Sequence, residues 1–312
     1  GEIHLIDISM PPEWAPKSGT PVRRFEAADI RARLPRRPAD AHKFSIGSVG
    51  VIAGSIGYTG AACLTAAAAL RAGCGLSCLA AAKSLLPLLT GKLPEVITWP
   101  FEDEESGCLR ETALPQWLSP LAAQNALAVG PGLGRHPDTG GLVRRLLREM
   151  KQPMVLDADG LNLCTDYLDL LQNYQGALIL TPHPGELSRL TGLTTAKILT
   201  RPVEVAAEWA VKLGQFLVLK GGPTVIAAPD GSVFVNSTGN PGMATAGAGD
   251  ILTGLIAGLL AQGLAPIDAA LCGVWLHGAA GDRARERRGE MGMIAGDLLD
   301  ALPDALRGVL HP

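Results

Sequence analysis

Short apolar runs alternate along this chain with longer stretches of helical spacing, and that alternation narrows the available folds more than any other feature. Runs at Val49 to Ala53, Gly75 to Ala80, Ala126 to Val129, Met154 to Leu156, Ala177 to Leu180 and Phe216 to Leu219 are apolar almost throughout rather than at every second residue. Strands of that kind are buried on both faces. Helical patterns lie between them, near Gly60 to Ala72, Gly140 to Met150, Pro184 to Thr191 and Pro202 to Leu213. The combination predicts an α/β fold, doubly wound, with a mostly parallel central sheet and helices on both faces. Thr224 to Ala228 and Val233 to Asn236, joined through Pro229-Asp230-Gly231, read as a hairpin on the sheet's edge. Helices from about Ala248 to Leu260, Ile267 to Glu286 and Gly296 to Leu302 close the chain.

Composition removes several classes of function. With 47% hydrophobic and 18% charged residues the 312-residue chain can bury a large core and is not disordered. A net charge of −3 and 4% aromatic residues supply neither a phosphate-binding stripe nor a base-stacking platform, so nucleic acid is not an expected partner. The two most apolar stretches, Ala61 to Ala82 and Ile251 to Gly281, are broken by Arg71 and by Gln262, Pro266, Asp268 and His277. Neither offers about 20 uninterrupted apolar residues, and both read as buried helices rather than membrane spans. The first of them, rich in small residues, could pack within the domain or between subunits. Six cysteines without a C-x-x-C spacing read as reduced, mostly buried thiols of a cytoplasmic protein. Residues 1–40 are rich in Pro and Arg and read as linker, with one short helix from Glu26 to Arg33. Glycine is in excess, 38 residues or about 12% against a usual ~7%, which points to backbone approached closely by something else.

In an open α/β sheet ligands sit beyond the carboxyl ends of the strands, so the residues following each strand carry the functional information. Gly54 to Gly60 is G-x-x-G-x-x-G, neither a dinucleotide fingerprint nor a P-loop. Gly130-Pro131-Gly132-Leu133-Gly134 follows the third run. Asp157-Ala158-Asp159-Gly160-Leu161-Asn162 follows the fourth, and suits either a magnesium ion or polar ligand, or Asx turns and a helix cap. His183 stands between Pro182 and Pro184, a stiff platform for a binding imidazole. Lys220-Gly221-Gly222-Pro223-Thr224 combines a cation, small residues and a hydroxyl, which suits a phosphate or nucleotide tail. Asn240 opens the last stretch, which runs through Gly247-Ala248-Gly249-Asp250 into an apolar helix. Glycines there leave N–H groups open at a helix N-terminus, where unpaired donors and the macrodipole favour an anion. Asp250 falls in the first turn, where the dipole favours its ionised form and it could take a proton from a substrate hydroxyl. An amide pocket beside a carboxylate is two parts of a phosphoryl-transfer site. The carboxylate would repel the phosphates it adjoins, and a divalent cation, Mg2+, is therefore expected.

Gly-Ala-Gly-Asp opening a late helix resembles the ribokinase-like superfamily. The ordered set GSIGYTGA, GPGLG, DADGLN, TPHPGE, KGGPT and NPGMATAGAGD is similar to the ADP/ATP-dependent NAD(P)H-hydrate dehydratases, over about residues 42–305. The resemblance implies a ribokinase-like dehydratase domain over 41–312. Gly1 to Glu13 is similar to the end of the NAD(P)H-hydrate epimerase domain that precedes the dehydratase in bifunctional proteins, which makes residues 1–40 a remnant of that domain plus linker. Carried over by position, the hydrated NADH or NADPH (NADHX, NADPHX) would contact Ala61, Gly132, His183 and Asp250. The adenine nucleotide, ADP or ATP as co-substrate, would lie along Lys220, Gly221, Gly222, Pro223 and Thr224 and against Gly249, with Asn240 close by. Asp250 would be the base, and Gly247, Ala248 and Gly249 would hold the developing charge. The implied activity is a hydro-lyase that repairs the S form of the hydrate, giving AMP and phosphate, and the implied assembly is a homotetramer. A ribokinase-like kinase acting on a vitamin precursor or sugar alcohol is the alternative, distinguished by a stable phosphoester. A catalytically silent nucleotide-binding module is a third.

Overall fold

Successive residues of the central strands enter different cores. In the computed structural model, which describes residues 22–311, Val155 packs into one hydrophobic cluster while Met154 and Leu156 on either side pack into a second. Ile179 and Val218 repeat the pattern between Leu178 and Leu180 and between Leu217 and Leu219. This is why the runs read as continuously apolar: the centre of the sheet has no wet face. Truncating such a residue, Leu156→Ala for example, removes about 2–5 kcal/mol.

The strands are β1 (Val22–Arg24), β2 (Ser48–Ile52), β3 (Leu76–Ala82), β4 (Ile97–Phe101), β5 (Ala126–Val129), β6 (Met154–Leu156), β7 (Leu178–Leu180), β8 (Phe216–Leu219), β9 (Val225–Ala227) and β10 (Val233–Val235). They form one ten-stranded sheet in the order β1-β10-β9-β8-β7-β6-β5-β2-β3-β4. All neighbours are parallel except β8/β9 and β9/β10. The expected α/β architecture is therefore present, and the hairpin is β9–β10. That hairpin is not at the edge, because β1 pairs in parallel with β10 outside it.

The short helix expected from Glu26 to Arg33 is present as Ala27–Arg33, while β1 before it was not expected and residues 22–34 pack into the domain rather than forming linker. Phe25, Ile30 and Leu34 are buried in the core, and the helix Ala27–Arg33 packs on the two C-terminal helices. The Arg residues hid this: Arg31 donates to the Val309 carbonyl and Arg33 to Asp268, so charge that looked like linker chemistry clamps the segment down. Residues 1–13, similar to the epimerase end, lie outside the described residues. β4 was missed because Pro100 interrupts it; as an edge strand it tolerates the lost N–H. The last helix runs Ala295–Leu310 rather than stopping at Leu302, with Pro303 inside it, since Leu298, Ala301, Leu302, Ala305 and Val309 share a buried face. That burial outweighs the roughly 3 kcal/mol a helical proline costs.

The small-residue helix Thr59–Arg71 packs within the domain, against Ala248–Ala261. A β-carbon on Gly254 would overlap the Thr65 carbonyl oxygen, and one on Gly258 would stand 2.6 Å from the Ala69 carbonyl oxygen. Glycine is what allows the two backbones to approach. All six cysteines are free thiols, four of them buried. Among the described residues no helix is long and apolar enough to cross a membrane. Strand order reverses between β2 and β5, so the loops after these two strands lie side by side: Gly54 N–H donates to the Pro131 carbonyl and Ser55 Oγ to that of Gly132.

Candidate active site at the carboxyl edge of the sheet

The helix Ala248–Ala261 starts from Gly247 in the left-handed conformation (φ 92°) with no side-chain cap. Among the described residues the N–H groups of Ala246, Gly247, Gly249 and Asp250 meet no acceptor. Four open donors at the positive end of a 14-residue helix are an anion site. Gly247 cannot be replaced, because its positive φ is compounded by Leu64 and Ala295 pressing on the place a β-carbon would occupy.

Asp250 sits in this first turn, but the dipole does not set its titration. Burial, reinforced by the charge of Asp157 and opposed by Lys220, pushes its carboxyl up to about 6. The expectation that the dipole would hold it ionised is corrected in direction. The outcome still suits a base: at pH 7 such a group is mostly ionised, and its proton affinity is near the operating pH.

Lys220 is not a free cation at a hairpin turn. Its Nζ donates to Asp157 Oδ1 at 2.7 Å and lies 3.7 Å from Glu186 Oε2, while Thr253 Oγ1 donates to Asp157 Oδ2 at 2.7 Å. Asp157 is almost wholly buried, 1% exposed. Burial pulls the ammonium pKa down, but Asp157 and Glu186 outweigh it and hold it above the ordinary lysine value. Lys220 thus stays charged beneath the anion site, 3.3 Å from the position a Gly249 β-carbon would take. Lys220 and Thr253 each donate to one Asp157 oxygen, and Asp159 accepts from Gly134 N–H and Asn162 Nδ2, so both aspartates of the Asp157–Asn162 stretch are built into the fold's hydrogen bonding. Ala158 between the two aspartates has φ 49° and ψ −118°, a strained conformation for a residue with a side chain. Among the described residues no three His, Cys, Asp or Glu side chains stand together as a metal site.

His183 caps the helix Pro184–Thr191 with its own ring: Nδ1 accepts from Gly185 N–H at 3.0 Å and from Glu186 N–H at 3.4 Å. Nε2 then carries the hydrogen in the neutral ring and lies 3.4 Å from Glu186 Oε1. Burial depresses the imidazole pKa below its ordinary value, against the opposing pull of Glu186, which keeps the ring neutral.

A cleft of about 930 Å3 gathers His183, the Lys220–Thr224 turn, Asn240, Ala248 and Gly249. Asn240 is anchored there by its Nδ2 donating to Asp282 and by its oxygen accepting from Gly242 N–H. Ala61, Gly132, Gly247 and Asp250 do not line it. Ala61 and Gly132 form a second group at the switch point, where a β-carbon on Gly132 would stand 2.8 Å from that of Ala61 and 2.9 Å from that of Tyr58. Leu64, one helical turn beyond Ala61, reaches Gly247, so the helix N-terminus borders both groups. Sequence reasoning missed Glu186, Thr253, Asp282 and His277. Glu186 stands only as the last residue of the TPHPGE motif, and the other three sit inside helical patterns where no local signal marks a role.

An open, mostly parallel sheet with glycine-opened helix N-terminus and buried carboxylate at its carboxyl edge is a ribokinase-like α/β architecture. The chain belongs to the NAD(P)H-hydrate dehydratase family, whose profile matches residues 49–304. It is 47% identical over 309 residues to a bifunctional NAD(P)H-hydrate repair enzyme of Moorella thermoacetica, covering 99% of this chain but only 58% of that protein, so it spans little more than half of such relatives. It is 37% identical over 270 residues to an ADP-dependent (S)-NAD(P)H-hydrate dehydratase of Neisseria meningitidis, covering 85% of this chain and 86% of that one. Its fold is similar to the crystal structure of the Bacillus subtilis ADP/ATP-dependent NAD(P)H-hydrate dehydratase co-crystallised with ATP and Mg2+, at a TM-score of 0.80 and 32% identity over 93% of this chain and 100% of that one.

Proposed function

We propose that the chain dehydrates the S form of hydrated NADH and NADPH at the expense of ADP or ATP. One observation carries the chemistry: a carboxyl held at about 6 in the first turn of a helix whose N–H groups stand open. Asp250 takes the proton from the C6 hydroxyl of the hydrate, and the oxygen attacks the terminal phosphoryl group of the nucleotide. With ADP, AMP departs and the hydrate carries a phosphate ester. The open amides of Ala246, Gly247, Gly249 and Asp250 and the charge of Lys220 stabilise the transferring group, while the Ala248 N–H, expected among them, is taken by the Thr245 carbonyl. Hydroxide is a poor leaving group and phosphate a good one, so the ring nitrogen lone pair expels phosphate. Loss of a C5 proton then restores the dihydronicotinamide.

Support for the substrates comes from family membership and from the activities named for the Neisseria and Bacillus proteins. A Mg2+ ion accompanying the nucleotide belongs to the proposal, supported by the Bacillus subtilis relative co-crystallised with ATP and Mg2+; no side-chain ligand is assigned to it. Fusion to an NAD(P)H-hydrate epimerase domain, supported by the bifunctional Moorella relative, homotetrameric assembly and a cytoplasmic location complete the proposal.

The test is incubation with NADHX and ADP, following absorbance near about 340 nm, a property of the nicotinamide ring, together with AMP release. Recovery of NADH with stoichiometric AMP is the expected result. Accumulation of a stable phosphoester on some other alcohol, with no NADH, would establish the kinase alternative instead.

A further inference from the structure

One titratable side chain in the cleft has no place in this reaction. His277, on the helix Pro266–Arg288, lines the cleft together with Val274 and Gly278, as do Ala248, Gly249 and Leu252 of the catalytic helix. Its Nε2 stands 2.9 Å from the Ala248 carbonyl oxygen. A carbonyl oxygen only accepts, so Nε2 carries the hydrogen and Nδ1 is a bare lone pair. Burial depresses the ring to about 4, so a second proton does not arrive at working pH. Nδ1 meets no hydrogen-bond partner among the described residues, and the ring, partly exposed, is part of the cleft wall.

We propose that His277 determines nucleotide specificity as a hydrogen-bond acceptor whose tautomer is locked, receiving an N–H or O–H group from the base or ribose of the co-substrate. This rests on the nucleotide reading above and extends it. A neutral lone pair repels phosphate, and the phosphates already have the open amides of Ala246, Gly247, Gly249 and Asp250. Leu252 and Val274 beside the ring supply an apolar surface for a flat or weakly polar moiety. The acceptor cannot reverse its role, because turning Nε2 into an acceptor would set two lone pairs against each other at Ala248. A ligand that offers an acceptor in the same place leaves Nδ1 desolvated and unpaired, which is the strong form of discrimination.

Two donors on an adenine nucleotide meet this description, the 6-amino group and a ribose hydroxyl. Calorimetry of the full chain with ADP, inosine 5′-diphosphate, 2′-deoxy-ADP and 3′-deoxy-ADP separates them. We expect one analogue to bind at least about tenfold more weakly than ADP, a loss of about 1.4 kcal/mol. His277→Phe should weaken ADP and bring that analogue to within about twofold of it, while the KM for the hydrate stays put. His277→Gln, which keeps a donor and an acceptor, should retain part of the discrimination, and it serves if the Phe variant does not fold. The proposal is overturned if the wild-type chain binds ADP and all three analogues within about twofold, or if the discrimination survives in His277→Phe, or in His277→Gln undiminished. Absence of ADP binding by the wild-type chain would instead sink the nucleotide reading, and this inference with it.

Discussion

A β-carbon on Gly130 would overlap the carbonyl oxygen of Asp157 at a backbone φ of 127°, whereas one on Gly222 would meet nothing within 4 Å. Both glycines follow central strands, and in the sequence they look alike. The first is required by the fold: the turn after β5 is pressed against the loop that carries Asp157, and Asp157 in turn orients Lys220. The second leaves room, since the Lys220–Thr224 turn lines the cleft and small residues there keep its wall open to a ligand. The glycine excess is thus two populations, one that packs backbone on backbone and one that holds space. Gly254 and Gly258 belong to the first, Gly221 and Gly222 to the second.

Four substitutions can break that distinction between framework and open wall, or sharpen it. Asp250→Asn has the largest expected effect, about a thousandfold loss in kcat, or about 4 kcal/mol at 1.36 per decade. Its fold should not suffer. The folded-state pKa of about 6 lies above the ordinary 3.8. The folded chain therefore binds that proton more tightly, and stability falls as pH rises from about 4 to about 6. Removing the charge should leave the melting temperature at pH 7 equal or higher. For the same reason wild-type kcat/KM should climb with pH through about 6 and then level off; a flat profile between pH 5 and 7 would remove Asp250 as the base.

Next comes Lys220→Met. It strips the buried Asp157 of its partner and should destabilise by about 3 kcal/mol in a urea titration. A change under about 1 kcal/mol would show that the ion pair is solvated rather than buried. Gly130→Ala follows, with about 2 kcal/mol from overlap and positive φ together. Gly222→Ala is the smallest on stability, within about 0.5 kcal/mol, yet it should raise the KM for ADP more than that for the hydrate. If Gly222→Ala destabilised as much as Gly130→Ala, the two populations would be one.

The fold was legible wherever burial on both faces made a run continuously apolar: β5, β6 and β8 stand where their apolar runs ended. It was illegible where a charged or proline-bearing segment is held by distant partners. β1 with its arginine-clamped helix and β4 with Pro100 are the examples. In the site, the open amides and Asp250 were readable because a glycine-rich helix start is a local property. Lys220 was legible as a cation at a strand end, but not its buried pairing, because nothing near it in the chain shows that Asp157 and Glu186 will meet it.

By itself, then, the sequence determined which groups stand at the carboxyl edge of the sheet, since strand, turn and helix start are all short-range consequences of residue type. Only the tertiary structure decided what those groups are. Asp157 is 63 residues from Lys220 and 96 from Thr253, and His277 is 29 from Ala248. A proton affinity, a tautomer and the commitment of a cation depend on charges and carbonyls a few ångströms away through space, where the low dielectric of the interior makes them strong. Separation along the chain carries no record of that distance.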